Sequence, residues 1–201
     1  KYMNYAIYSS CFGAVIQRAL SESSVFIVYA SALGAGKFLS LVTTALIPCM
    51  TLILLVPIAY LMEHKGIKRV LIPVYTGGLI GLLFAVAAGS VRVPDGKLKS
   101  LFFYFGILIF AASIGIHSAG WFPLQRHIVP RKERGNYFGR MRYSWQTSVG
   151  VFLLGSSLII WKDATIIKLQ LIILIGALLI IGRIYFIAKI PERPLKKHIP
   201  P

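Results

Sequence analysis

Acidic residues are scarce. Six Asp and Glu stand against 22 Lys and Arg in 201 residues, a formal net charge of +16, and in a water-soluble chain such a balance would point to nucleic acid. Charge of either sign is itself thin, at 14% of residues, where an ordinary soluble domain carries roughly 25%. Hydrophobic residues make up 57% and the mean hydropathy is +0.75. The basic residues lie in short clusters between long apolar runs, which is membrane topology and leaves no nucleic-acid partner to expect. Cysteine is nearly missing: Cys11 and Cys49 each sit in an apolar run with no C-x-x-C or His-rich neighbour, which removes support for a disulfide framework or a zinc site. Both read as packing residues. His64, His117, His127 and His198 are scattered without metal-ligand spacing, and neither G-x-S-x-G, H-E-x-x-H nor a glycine-rich phosphate loop after a strand occurs. These absences argue against an enzyme, against a metal or other cofactor, and against an ATP-driven pump.

What is present is helix-length apolar sequence. A bilayer core of about 30 Å needs roughly 20 apolar residues of helix. Six runs meet that need, at 6–30, 38–62, 70–91, 100–125, 137–160 and 166–188, so the expectation is an all-α membrane protein of six transmembrane helices. They form one bundle over 1–190. The first run is no cleaved signal peptide, because Arg18 and Glu22 stand where such a segment must be apolar. A sequence that starts at Lys1 is expected to be trimmed or partial.

The bias of Lys and Arg between the two sets of connectors sets the orientation. Fourteen fall on the side that includes Lys65, Lys68, Arg69, Arg126, Arg134 and Arg142; six fall on the other, among them Lys37, Lys97 and Lys162. Both ends of the segment are therefore expected in the cytoplasm. Arg18 and Arg183 lie within runs.

Polar side chains in a membrane face protein or water rather than lipid. Runs 3 and 6 have almost none at mid-membrane, with Gln170 alone between Leu169 and Ile181, and read as peripheral. Run 1 carries Gln17, Arg18, Ser21 and Glu22, run 4 carries Ser113, His117 and Ser118, and run 5 carries Ser144, Gln146, Thr147 and Ser148. These three read as cavity walls. Arg18 and Glu22 are four apart and can pair on one helix face. Because a charge at mid-bilayer costs at least about 2.5–3.5 kcal/mol, the pair marks a functional site unless it lies near an interface. Gln17, Arg18, Glu22, His117, Trp145 and Gln146 are the candidate substrate- or ion-binding residues, with Trp145 offering an apolar face and Gln146 an amide. Small residues recur at Gly77, Gly81, Ala85 and Gly89, and at Ala111, Gly115 and Ala119, a spacing that lets helices approach closely. Pro48 and Pro57 are positioned to bend the second run.

The connector Ala59-Tyr-Leu-Met-Glu63-His-Lys-Gly66-Ile-Lys68-Arg69-Val-Leu71 resembles the loop motif G-x-L-a-D-r-x-G-r-k-x-x-l of the major facilitator superfamily. Leu61, Gly66, Lys68 and Leu71 match; Glu63 lengthens the acid, Ala59 replaces the first glycine and Ile67 a basic residue. Pro130-Arg-Lys-Glu-Arg134-Gly135-Asn-Tyr-Phe138-Gly139-Arg-Met-Arg142 is similar to the P-x-x-x-R-G-x-x-F-G-x-R signature of a bacterial subgroup, and Ala32-Leu-Gly34-Ala35 to its first outer loop. The resemblance implies the N-terminal six-helix half of a twelve-span protein of the bacterial inner membrane, ending at 191–201 in the start of a cytoplasmic linker between the halves, with a C-terminal half as partner and helices 1, 2, 4 and 5 lining a central cavity. Many members carry an arginine within span 4; none precedes Arg126 here, which argues against antiport mechanisms that use it. The function implied is secondary transport of a small organic solute by alternating access, with H+ or Na+ as candidate coupling ions. Glu63, Gly66, Lys68, Arg69, Arg134, Gly135 and Arg142 are the candidate cytoplasmic gate, Glu63 pairing with the basic cluster or facing a helix N-terminus and Gly66 allowing a tight reversal. A six-span scaffold or lipid-handling protein without transport is the rival reading.

Overall fold

The computed structural model describes residues 2–21, 24–90 and 96–192, and is helical throughout its regular structure. Seven α-helices follow one another: α1 (Tyr2–Ala14), continued by a π-helical segment Val15–Ser21, α2 (Val25–Ala32), α3 (Lys37–Lys65), α4 (Ile67–Ala87), α5 (Gly96–Ile128), α6 (Arg134–Ile160) and α7 (Ile166–Ala188). Among the described residues each of the six apolar runs is mostly helical. Four of these helices, α3, α4, α5 and α7, are long and apolar enough to cross a membrane, and a fifth crossing is available if Tyr2–Leu20 and Val25–Ala32, inclined at 49°, form one bent span. The chain is thus an all-helical candidate multi-pass membrane protein with four to five candidate spans. Helix α6 has the length, at 27 residues, but its first turns carry Arg134, Arg140, Arg142 and Gln146.

Proline does not interrupt α3, which runs unbroken through Pro48 and Pro57. It ends at Gly66, the single residue between α3 and α4, whose φ of +92° is open to glycine and strained for a side chain. A second positive φ, +87° at Gly34, turns the chain between α2 and α3.

The helices pack in an arc: α3 against α5, α5 against α4, α4 against α7, α7 against α1, and α1 against α6. The arc's two ends are its exposed members. In its most apolar stretch 11% of α3 is buried, against 50% for α5, and α6 buries only Tyr137, Met141 and Ser156. With no water to drive apolar association inside lipid, close backbone approach carries the packing. At the α4–α5 crossing a Cβ added to Gly81 would lie 2.6 Å from the Gly106 carbonyl oxygen, so the two backbones touch; Gly115 meets the α3 backbone at Met50 in the same way. Gly77 has nothing within 4 Å of an added Cβ, and Gly78 takes its place, against Ser113. Phe26 and Tyr29 of α2 meet Phe103 and Phe110 of α5 edge to face. Of the two cysteines, Cys11 is half-buried against the core, whereas Cys49 is exposed on α3. The packing role expected of Cys49 is therefore corrected: its helix face has no neighbour in this bundle.

Helix α4 is tied to α7 at both ends. At one end the Glu192 carboxylate accepts hydrogen bonds from the backbone N–H of Ile67 and, at 3.3 Å, of Lys68. The Lys68 ammonium in turn donates to the carbonyls of Ala188 (2.7 Å) and Ile190 (2.8 Å) at the end of α7. Both contacts put charge where the helix dipole favours it, anion at an N-terminus and cation at a C-terminus. At the other end Gln170 of α7 and Tyr29 of α2 both donate to the Val86 carbonyl, at 2.7 and 3.2 Å.

Candidate functional site

A cavity of about 230 Å³ lies among α1, α5, α6 and α7, lined by Ser10, Gly13, Gln17, Arg18, His117, Ser118, Trp121, Trp145 and Arg183 together with apolar groups. Gln17 and Arg18 enter from the π-helical segment. Such turns are rare and recur at functional sites. The Arg18 guanidinium lies 5.7 Å from the Trp145 ring centre. Behind the cavity, His117 Nδ1 is 2.6 Å from the Tyr75 hydroxyl, and the His117 ring is 5.4 Å from that of Trp121.

Arg183 joins these groups. It is 3% exposed, its Nη2 lies 3.0 and 2.8 Å from the two ring nitrogens of His117, and its Cζ stands 4.6 Å from the Tyr75 ring centre. Space for it is made by Gly13, where an added Cβ would fall 2.4 Å from Cζ. Arg183 Nε has no hydrogen-bond partner, and no carboxylate pairs with the guanidinium among the described residues. Removing such a charge from water costs several kcal/mol. A desolvated cation–π contact returns about 2 and a hydrogen bond to a charged group about 1.5–3. The cation is held by neutral neighbours alone, in a site that can accept an anion or a strongly polar solute.

Gln17, Arg18, His117 and Trp145 are thus brought to one cavity. Gln146 is exposed on another side of α6 and takes no part in it. Glu22 lies outside the described residues. Run 6, read as peripheral with Gln170 its one polar group between Leu169 and Ile181, contributes Arg183 to the cavity wall and a Gln170 hydrogen bond to the Val86 carbonyl; the polarity reading stopped at Ile181. The residues that the sequence reading missed are Arg183, Tyr75, Trp121 and Gly13. The signal for Arg183 was available, since an intramembrane charge is a functional candidate by default; the other three carry no mark in a hydropathy pattern.

At the basic end of the bundle Glu63 is exposed and makes no ion pair with Lys68, Arg69, Arg134 or Arg142. The acid at the helix N-terminus is Glu192 instead, and its carboxylate lies beside Gly66, 3.2 Å from an added Cβ. Lys68 is engaged with α7, while Arg69, Gly135 and Arg142 are exposed and Arg134 is half-buried.

No family model matches the chain, and neither a curated protein nor a solved structure does.

Proposed function

We propose that this chain is a six-helix half of a secondary transporter of the major facilitator type, moving a small organic solute by alternating access with H+ or Na+ as candidate coupling ions. The observation that carries the reading is a polar, partly cationic cavity among four helices of an otherwise apolar bundle, the setting in which intramembrane charge lines a solute pathway. The motif residues around Gly66 and Arg134–Arg142 support it. So do the exposed apolar faces of α3, with Leu52 and Val56, and of α6, with Val151 and Leu154, which give a second half somewhere to dock. In this reading α6 also crosses the membrane and the basic connectors are cytoplasmic.

The test uses the complete protein in proteoliposomes, with Cys11 and Cys49 replaced by alanine and Ser118→Cys introduced in the cavity wall. Alternating access predicts labelling of that thiol by a membrane-impermeant maleimide from either side. Labelling from one side only, under every condition that supports solute exchange, would sink the reading. A lipid-handling role is favoured by one feature, a groove of about 690 Å³ between α1, α6 and α7 lined by Phe12, Val15, Val151, Phe152 and Leu179. It predicts one-sided labelling and an acyl chain copurifying in the groove.

A further inference from the structure

We infer that the cavity binds an oxyanion, a carboxylate or phosphate group carried by a small solute, with Arg183 as the residue that holds it. This rests on the transporter reading only for calling the anion a substrate; the binding stands on geometry. Three features converge. Arg183 is 3% exposed, lines the cavity, and leaves Nε unpartnered. Its other contacts are a neutral ring face and an imidazole, which position the guanidinium without cancelling its charge. The same wall carries a second guanidinium, Arg18, while the hydroxyls of Ser10 and Ser118 donate to the Ala6 and Ile114 carbonyls of their own helices, at 2.9 and 3.1 Å. Guanidinium donors are fixed in a plane that matches the oxygens of carboxylate and phosphate. A cationic solute would meet the Arg183 guanidinium, and a neutral one would leave its buried charge as it stands. At about 230 Å³ the space lies below the range for drug-sized ligands, so it suits a small anion or the anionic end of a larger molecule.

The experiment is a titration of the complete protein in detergent micelles with sodium succinate and with sodium phosphate. Sodium chloride at matched ionic strength and the neutral succinamide serve as controls. Trp121 and Trp145 border the site, so intrinsic fluorescence reports occupancy, and thermal unfolding gives a second readout. Saturable fluorescence change and a raised Tm are expected with succinate or phosphate and with neither control. Arg183→Gln should raise the half-saturating concentration at least tenfold, equal to about 1.4 kcal/mol; Arg183→Lys, which keeps charge but not the planar fork, should fall between. The wild-type titration needs no variant, so a misfolded Arg183→Gln does not shelter the inference: equal responses to succinate and succinamide, or none to either anion, overturn it. Two-sided labelling of Ser118→Cys without an anion response would leave transport standing and remove the anion site. An anion response with one-sided labelling would do the reverse.

Discussion

The smallest unit with a clear consequence is Gly13. An added methyl there would meet the Arg183 guanidinium where it now stands, so Gly13→Ala should displace it from His117 and Tyr75 and lower stability by about 1–3 kcal/mol, the usual cost of overpacking. Thermal unfolding in micelles checks this, and an unchanged Tm would mean that Arg183 has room to move aside. Tyr75→Phe isolates the hydroxyl from the ring. It should cost only about 0.5–1.5 kcal/mol, the worth of an ordinary hydrogen bond, whereas Tyr75→Leu removes the cation–π face too and should cost distinctly more. Legibility at this scale was uneven for a physical reason. Charges and amides inside apolar sequence stand out because lipid penalises them, which is how Gln17, Arg18 and His117 could be picked. A glycine or tyrosine in such a run is ordinary, and what makes Gly13 and Tyr75 matter is a partner more than 40 residues away.

Helices were the most readable level. The last run coincides with α7, Ile166–Ala188, residue for residue. Helices α3, α5 and the start of α6 extend past the apolar limits into charged connectors, because backbone hydrogen bonding continues where hydropathy ends. Helix α4 begins before its run and stops short of its end, and the first run is divided among α1, the π-helical segment and α2. Less readable was which side of a helix meets its neighbour: Gly77 belongs to the ladder by spacing yet faces open space, and Gly106, outside it, makes the closest crossing. Gly81→Val should therefore force α4 and α5 apart and destabilise the protein severely, while Gly77→Val should stay within about ±0.5 kcal/mol, as for a surface position. Paired unfolding curves decide it, and equal losses would mean that the crossing is not where the backbones touch. The helix ends offer a gentler test. Glu192→Gln keeps the shape but removes the anion from the α4 N-terminus, with an expected loss of about 0.3–1 kcal/mol that shrinks as salt is added. A salt-independent loss would point to shape rather than charge.

For the whole molecule the open issue is how many times the chain crosses. Single cysteines at Lys65, Arg131 and Lys162, each in the cysteine-free background, should label from one side for the first two and from the opposite side for the third. Arg131 and Lys162 labelling from the same side would mean that α6 lies along the bilayer instead of through it. The apolar run at 137–160 predicts a crossing, whereas α6 is not among the helices long and apolar enough to span a membrane, and its first turns carry arginines and amides. The double tie between α4 and α7 has a mechanical consequence. Tension arriving along the chain from beyond Glu192 does not peel α7 off turn by turn. It loads the Glu192 and Lys68 contacts first, and through them the start of α4, so a pull on the C-terminal side should be delivered to the middle of the arc.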